Sequence, residues 1–334
     1  MASSQPHSAI LKWGILGTAR INRSIIPALN LSSRNKLVAI ASRSKQRADA
    51  HALEWGISAS YGSYEGLLAE PGIDVVYIPL PNSLHCEWVI KAAQAGKHVL
   101  CEKPLALSNE EVNEMTNASI KAGVVLTEAF MYRHHPQTLK VKELIEAGAI
   151  GEVLLVRGSF SFPLSRKMDV RLKPELGGGS LWDIGCYPVS YARYILGSEP
   201  ITVFGWRLLG KTGIDISFTG HMEFPGNAFA QFDCSFIMPV RTNLEIVGRE
   251  GIIYLPEPFK PNFNGTIVLV RDDEETSIKV SGEHLYAGEI EDITDAILSG
   301  RAPRISIEDS RANIATIQAL YASATRGEPV ILLS

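Results

Sequence analysis

Cysteine is scarce in this 334-residue sequence: there are four, Cys86, Cys101, Cys186 and Cys234, with no C-x-x-C spacing among them. A disulfide-stapled miniprotein is excluded, metal binding through these thiols is not expected, and the four read as small buried hydrophobes. An excess of positive charge is also missing, since 32 Lys+Arg stand against 36 Asp+Glu for a formal charge of -4. Nothing global draws the chain to nucleic acid, and it carries no nucleic-acid motif or basic amphipathic helix. No run reaches the roughly 18 apolar residues of a membrane helix; Gly123–Leu126 is soon ended by Glu128. The opening Met1–Ser8 has neither the basic region nor the apolar core of a secretory signal, so a cytoplasmic protein is expected.

What is present is a globular composition, 46% hydrophobic and 20% charged, able to fill the cores of about two domains at roughly 150 residues each. From Leu11 to about Ala129, short apolar runs alternate with stretches of helical period. Strands are predicted at Lys12–Leu16, Leu37–Ala41, Asp74–Ile78, His98–Glu102 and Val124–Thr127. Helices are predicted over Ser44–Trp55, Ser83–Ala95 and Ser108–Ala122, the last opened by a Ser108/Glu111 capping box. This alternation is that of an α/β, doubly wound parallel sheet.

After Pro136 the texture changes. A helix ending at Ala147-Gly148, a strand at Glu152–Phe162, a loop rich in Arg, Lys and Pro up to Gly177–Gly179, and a helix from Ser180 to Leu196 are predicted. Between Ile201 and Val280, alternating apolar residues joined by Gly, Pro or Asn turns indicate a large, mainly antiparallel open sheet with one solvated or interface face. Helices near His284–Leu298 and Ser306–Thr325 close the chain. The expected division is 1–130 and 131–334, the second an α+β domain, with a cleft between the two.

The first strand runs into Gly17-Thr18-Ala19-Arg20-Ile21-Asn22, where a dinucleotide-binding fold presents backbone N–H groups to a pyrophosphate. The glycine fingerprint is incomplete, G-x-A-x-x-N in place of G-x-G-x-x-G/A, so its place on the first βα turn carries the argument. The acid that commonly meets the adenosine ribose is missing as well, because the second strand ends in Ser42-Arg43. An acid would repel a 2′-phosphate, whereas a hydroxyl and a guanidinium would receive one, so NADP is expected over NAD. The plain alternative is that Arg43 is a solvated loop cation.

The fourth strand ends Cys101-Glu102-Lys103-Pro104, leaving Lys103 at the carboxyl edge, where ligands of such sheets sit. Pro104 restricts the backbone of Lys103 and allows a cis bond. A surface lysine that merely ends a strand is the alternative. Further on, Asp183 and Tyr187 are spaced i,i+4, on one face of a helix. A lysine facing the phenol would favour its anion and lower a pKa of about 10 toward the range of proton transfer; a buried, hydrogen-bonded tyrosine is the other reading.

These residues resemble a known family. The Gly17-Thr-Ala-Arg loop, Glu102-Lys103-Pro104, Glu128-Ala-Phe-Met-Tyr-Arg-His-His-Pro136 and Asp183-Ile-Gly-Cys-Tyr187 are similar to motifs of the glucose-fructose oxidoreductase/inositol dehydrogenase (Gfo/Idh/MocA) family, over essentially the whole chain. Tyr187, where other branches carry histidine, resembles the branch of dimeric dihydrodiol dehydrogenase and NADP-dependent xylose dehydrogenase. The resemblance implies an amino-terminal Rossmann domain, and a second domain whose open sheet forms a homodimer or higher oligomer. It implies that Lys103 and Tyr187 flank the reacting carbon of a carbohydrate or polyol, assisted by Asp183. It further implies that Pro79, Leu80, Asn82, His85 and Glu102 hold the nicotinamide side. His85 reads equally as a helix cap, and Met131, Tyr132 and Arg133 either line the cleft or, for Tyr132, pack between domains. The loop Pro163–Leu176, with Arg166, Lys167, Asp169, Arg171 and Lys173, is expected near the substrate. Other readings of the same fold are an NADP-binding sensor without catalysis and an NAD-dependent glycosidase.

Overall fold

Six short runs of apolar residues lie side by side as a parallel sheet. In the computed structural model, which describes residues 10–166 and 168–332, they are β1 (Leu11–Leu16), β2 (Asn35–Ala41), β3 (Ala59–Tyr61), β4 (Val75–Ile78), β5 (His98–Glu102) and β6 (Leu126–Ala129). The crossovers are α1 (Asn22–Leu31), α2 (Lys45–Trp55), α3 (Tyr64–Leu68), α4 (His85–Gln94) and α5 (Asn109–Ala122). The strand order β3-β2-β1-β4-β5-β6 reverses between β1 and β4, where such a sheet opens a crevice at its carboxyl edge. β4 is buried along its whole length, as a strand covered on both faces must be.

Local signals set the helix ends. Ser44 accepts the Arg47 N–H, and Gly56 ends α2 in the left-handed conformation. Ser108 accepts the Glu111 N–H at 3.2 Å, while the Glu111 carboxylate reaches back to the Leu107 N–H at 2.8 Å, one residue before the expected partner. β3 and α3 escaped the periodicity because a three-residue strand is too short to show alternation. β6 starts at Leu126, two residues later than predicted, since Gly123 and Val124 belong to the helix end before it.

The second sheet follows α6 (Pro136–Glu146). It contains β7 (Val153–Ser161), then, after α7 (Cys186–Leu196), β8 (Thr202–Leu209), β9 (Asp215–Phe224), β10 (Ala228–Ser235), β11 (Arg241–Gly248), β12 (Ile252–Leu255), β13 (Asn264–Arg271) and β14 (Glu274–Ser281). Their order is β14-β13-β12-β11-β7-β10-β9-β8, with β15 (Val330–Ile331) at the β8 edge; β7 and β10 run parallel, the other pairs antiparallel. One face carries α7, and the other leaves Trp206, Leu208, Phe229 and Tyr254 exposed.

The last two helices, α8 (Ala287–Ser299) and α9 (Ile307–Arg326), return to the first sheet. α8 packs on α1, and α9 touches α5 and β6 as well as α7 and β8. Asn35 shows how far this goes: its Oδ1 accepts the Trp13 indole N–H at 2.6 Å and the Thr294 hydroxyl at 3.1 Å. Residues beyond 131 therefore complete the core of the first sheet. No helix among the described residues is long and apolar enough to cross a membrane.

Candidate active site

The turn after β1 is shaped by backbone. Gly17 sits at φ +118°, and a Cβ there would stand 3.1 Å from Leu80, so neither the angle nor the space suits a side chain. Asn22, in the place of the third glycine, donates its amide to the Gly17 carbonyl at 2.9 Å and pins the loop to α1. The N–H groups of Thr18, Ala19, Arg20 and Ile21 meet no acceptor among the described residues, and α1 has no side-chain cap. Such a row of free donors at a helix N-terminus fits the pyrophosphate of a dinucleotide. At the end of β2, buried Ser42 accepts the Ser44 N–H at 3.3 Å through its Oγ, and Arg43 is exposed without an ion pair among the described residues. A hydroxyl and an exposed guanidinium fit a phosphate on the ribose.

The segment after β4 is committed to holding loops together. Pro79 and Leu80 are buried, and Asn82 donates its amide to the Gly177 carbonyl of the second half at 2.9 Å. His85 is buried, with Nε2 and Nδ1 each 2.9 Å from a carbonyl, those of Leu80 and Pro104. It therefore ties the Pro79–Asn82 loop to the turn after β5 and caps no helix, because the residue before α4 is Leu84, without a side-chain bond. Glu102 is half-buried and accepts the Tyr77 hydroxyl; burial raises its pKa against the pull of Lys103. The Lys103–Pro104 bond is cis.

Lys103, Asp183 and Tyr187 come together. The Lys103 ammonium donates to the backbone carbonyl of Asp183 and to its Oδ1 at 3.2 Å, and it stands 4.9 Å from the centre of the Tyr187 ring. Asp183 lies in a wide π turn, Leu181–Gly185, so its side chain turns to the cations and makes no bond with Tyr187. Arg171 closes the group, its Nε donating to Asp183 Oδ2 at 2.6 Å and its Nη1 to Asp169 at 3.2 Å. Burial opposes the charge on Asp183, but Lys103 and Arg171 outweigh it and hold its pKa at about 2. Burial also opposes the charge on Lys103, and Asp183 in turn keeps its pKa above the usual lysine value.

Two expectations are corrected here. The pKa of Tyr187 is not lowered by Lys103 but pushed well above 10, first by burial, because the ammonium faces the ring and the hydroxyl points at Met131 Sδ, 3.6 Å away. Among the described residues after β6, Met131 is the one that bonds the Tyr187 hydroxyl. Tyr132 is buried and donates to the Ser190 hydroxyl at 2.9 Å, and Arg133 pairs with Asp309 at 2.9 Å, so both join elements within the interior. In the loop before the π turn, Lys167 lies outside the described residues.

Sequence reasoning missed two acids. Asp215 on β9 accepts the Ser180 hydroxyl and Leu181 N–H at 2.7 Å each and the Tyr321 hydroxyl at 2.7 Å, which fixes the start of the π turn. A Cβ on Gly179 would stand 2.3 Å from Asp215 Oδ1, so the glycine run is what lets the acid approach. Glu128, quoted only as part of a motif, accepts the Leu105 N–H at 2.9 Å and the Ser310 hydroxyl at 2.6 Å. It thereby fastens the turn that carries Lys103 to α9. Burial raises the Glu128 pKa to about 7. A carboxyl whose folded pKa exceeds its unfolded one (about 4.3) costs stability as pH rises between the two values. Glu128→Gln, which mimics the protonated acid, is expected to gain stability relative to the parent protein as pH rises from about 5 to 7.5 in urea melts; a constant difference across that range refutes the assignment.

Residues 11–130 match the model described as oxidoreductase family, NAD-binding Rossmann fold, and residues 138–254 match the GFO/IDH/MocA C-terminal domain. The chain is 39% identical over 326 residues to D-xylose 1-dehydrogenase (NADP(+)) 2 of Haloferax volcanii, covering 96% of this chain and 100% of that protein. A 3-ketoreductase from Actinomadura kijaniata, solved with NADP and TDP-benzene, superposes with a TM-score of 0.90 at 30% identity over 94% of this chain and 98% of that one. An aldose-aldose oxidoreductase from Caulobacter crescentus superposes equally well, TM-score 0.90 at 26% identity, over 97% and 100% of the two chains. With a Rossmann turn, a Lys103–Asp183–Tyr187 cluster and both family domains in one chain, the protein belongs to the GFO/IDH/MocA family of NAD(P)-binding oxidoreductases.

Proposed function

We propose that the protein is an NADP-dependent oxidoreductase interconverting a hydroxyl and a carbonyl on a sugar or related cyclic polyol. The observation that carries this reading is the Lys103 ammonium, held by Asp183 against the Tyr187 ring at the sheet edge where the free N–H groups of the first turn project. The relatives named above, a xylose dehydrogenase and an aldose-aldose oxidoreductase, support the substrate class.

When bound, the nicotinamide supplies the hydride donor or acceptor; the rest falls to this chain. In reduction, Tyr187 donates its phenolic proton to the carbonyl oxygen. Lys103, kept charged by Asp183, stabilises the developing alkoxide. Arg171 and Asp183 orient Lys103 before substrate arrives. In oxidation the phenol must lose its proton first, and its raised pKa makes the oxidative rate climb with pH through the neutral range while the reductive rate does not. The exposed outer face of the second sheet is the surface through which two copies would pair.

Reduced-nicotinamide absorbance with NADP or NAD and a panel of aldoses, inositols, glycosides and aromatic dihydrodiols tests the reading. Tyr187→Phe is expected to lower turnover about a hundredfold or more; unchanged turnover overturns its role. Arg43→Ala is expected to narrow the ratio of kcat/KM for NADP over NAD by about tenfold, the scale of one charge-assisted bond. An unaltered ratio removes Arg43 from phosphate recognition.

A further inference from the structure

The cleft around Lys103 holds more cation than its chemistry uses. Lys103 and Arg171 are matched by Asp183 and Asp169, which makes two positive charges and two negative ones in direct contact. Glu102, the remaining acid, is bonded to the Tyr77 hydroxyl on the first-sheet wall and makes no ion pair with Lys260 among the described residues. Lys260 stands outside this balance. It is exposed, and it makes no ion pair among the described residues, yet the charges it feels are those of Lys103, Asp183, Arg171 and Glu102. Crowding by protein, Lys103 and Arg171 all work against its charge and lower its pKa.

The placement is rigid. Lys260 sits between buried Pro258-Phe259 and buried Pro261, so its backbone is fixed on both sides. Phe259 stacks on Phe160 with centroids 5.2 Å apart, and Phe160 lies 5.3 Å from Tyr187. The Lys260 ammonium stands 5.9 Å from the Phe160 ring centre, as Lys103 stands 4.9 Å from that of Tyr187. Two touching rings thus carry two ammonium groups, one tied to Asp183 and the other free. A neutral sugar has no use for a second, unpaired cation beside the Lys103–Tyr187 pair. A sugar bearing a carboxylate or phosphate does, because it supplies the missing negative charge where Lys260 presents the positive one.

Resting on the reading of function above, we propose that Lys260 is a specificity residue that receives an anionic substituent of the sugar, a carboxylate or a phosphate. The test is calorimetric binding to the NADP-saturated protein of matched sets: glucose, glucuronate and glucose 6-phosphate, and xylose with xylose 5-phosphate. At least one anionic member is expected to bind about tenfold or more tightly than its neutral partner. Raising NaCl from about 50 to 500 mM weakens the anionic but not the neutral member. Lys260→Met is expected to remove the preference and Lys260→Arg to retain it. Whether carboxylate or phosphate gives the larger effect identifies the substituent. Equal binding of neutral and anionic partners by the parent protein, or a preference that survives in Lys260→Met, overturns the proposal. Reduced-nicotinamide absorbance on the same sets separates the two ideas: a Lys260-dependent preference without hydride transfer refutes the function and leaves the anion site standing.

Discussion

Asp183 is a charged group in a poorly solvated place, and it stays charged because two cations reach it from different parts of the chain. Lys103 comes from the end of the first sheet, Arg171 from the loop leading to the π turn, and Asp183 from that turn itself. Side chains of Lys103 and Asp183 are 11% and 17% exposed, so either one left alone would be a nearly buried charge. Removing one partner of a buried pair costs about 3–5 kcal/mol, a large part of the about 5–15 kcal/mol that holds a domain together. The convergence of these three segments is thus enforced by desolvation, and the candidate site lies at their meeting point.

Hydrogen bonds beyond the ion pairs then set the fine geometry. Asn82 grips Gly177 across the two halves, His85 ties two loops of the first sheet, and Glu128 fastens the turn beyond Pro104 to α9. Asp215 does the same for the start of the π turn. Each tie acts on a segment next to a chemical group rather than on the group itself. The phenol of Tyr187 is held among Phe130, Phe160 and Phe259, an aromatic surround that excludes water and keeps the hydroxyl protonated.

The parallel strands and the large antiparallel sheet were legible because burial on two faces and on one face writes different apolar patterns. Lys103, Asp183 and Tyr187 were legible because of where they fall relative to strand and helix ends. The misreadings have a common physical origin. The i,i+4 rule put Asp183 beside Tyr187, but a π turn altered the spacing and gave the carboxylate to Lys103 and Arg171. The phenol pKa depends on which side of the ring a cation approaches, which no spacing encodes. His85 and Asn82, which the family resemblance places beside the nicotinamide, also hold backbone carbonyls 5 to 95 residues away, a tie that no spacing encodes. Asp215 and Lys260 are isolated in sequence and Glu128 stood only within a motif; the folded chain gives all three their partners.

The sharing of Asn35 by Trp13 and Thr294 has a bearing on how the chain is made. The face of the first sheet that α8 covers cannot be closed until residues near 294 have left the ribosome, although its strands are complete by Ala129. Between those moments the nascent chain carries an open apolar flank through some of its longest contacts in sequence, the circumstance in which folding is slow and intermediates are prone to associate. The two halves in this respect share one core, closed by a helix that follows most of the second sheet.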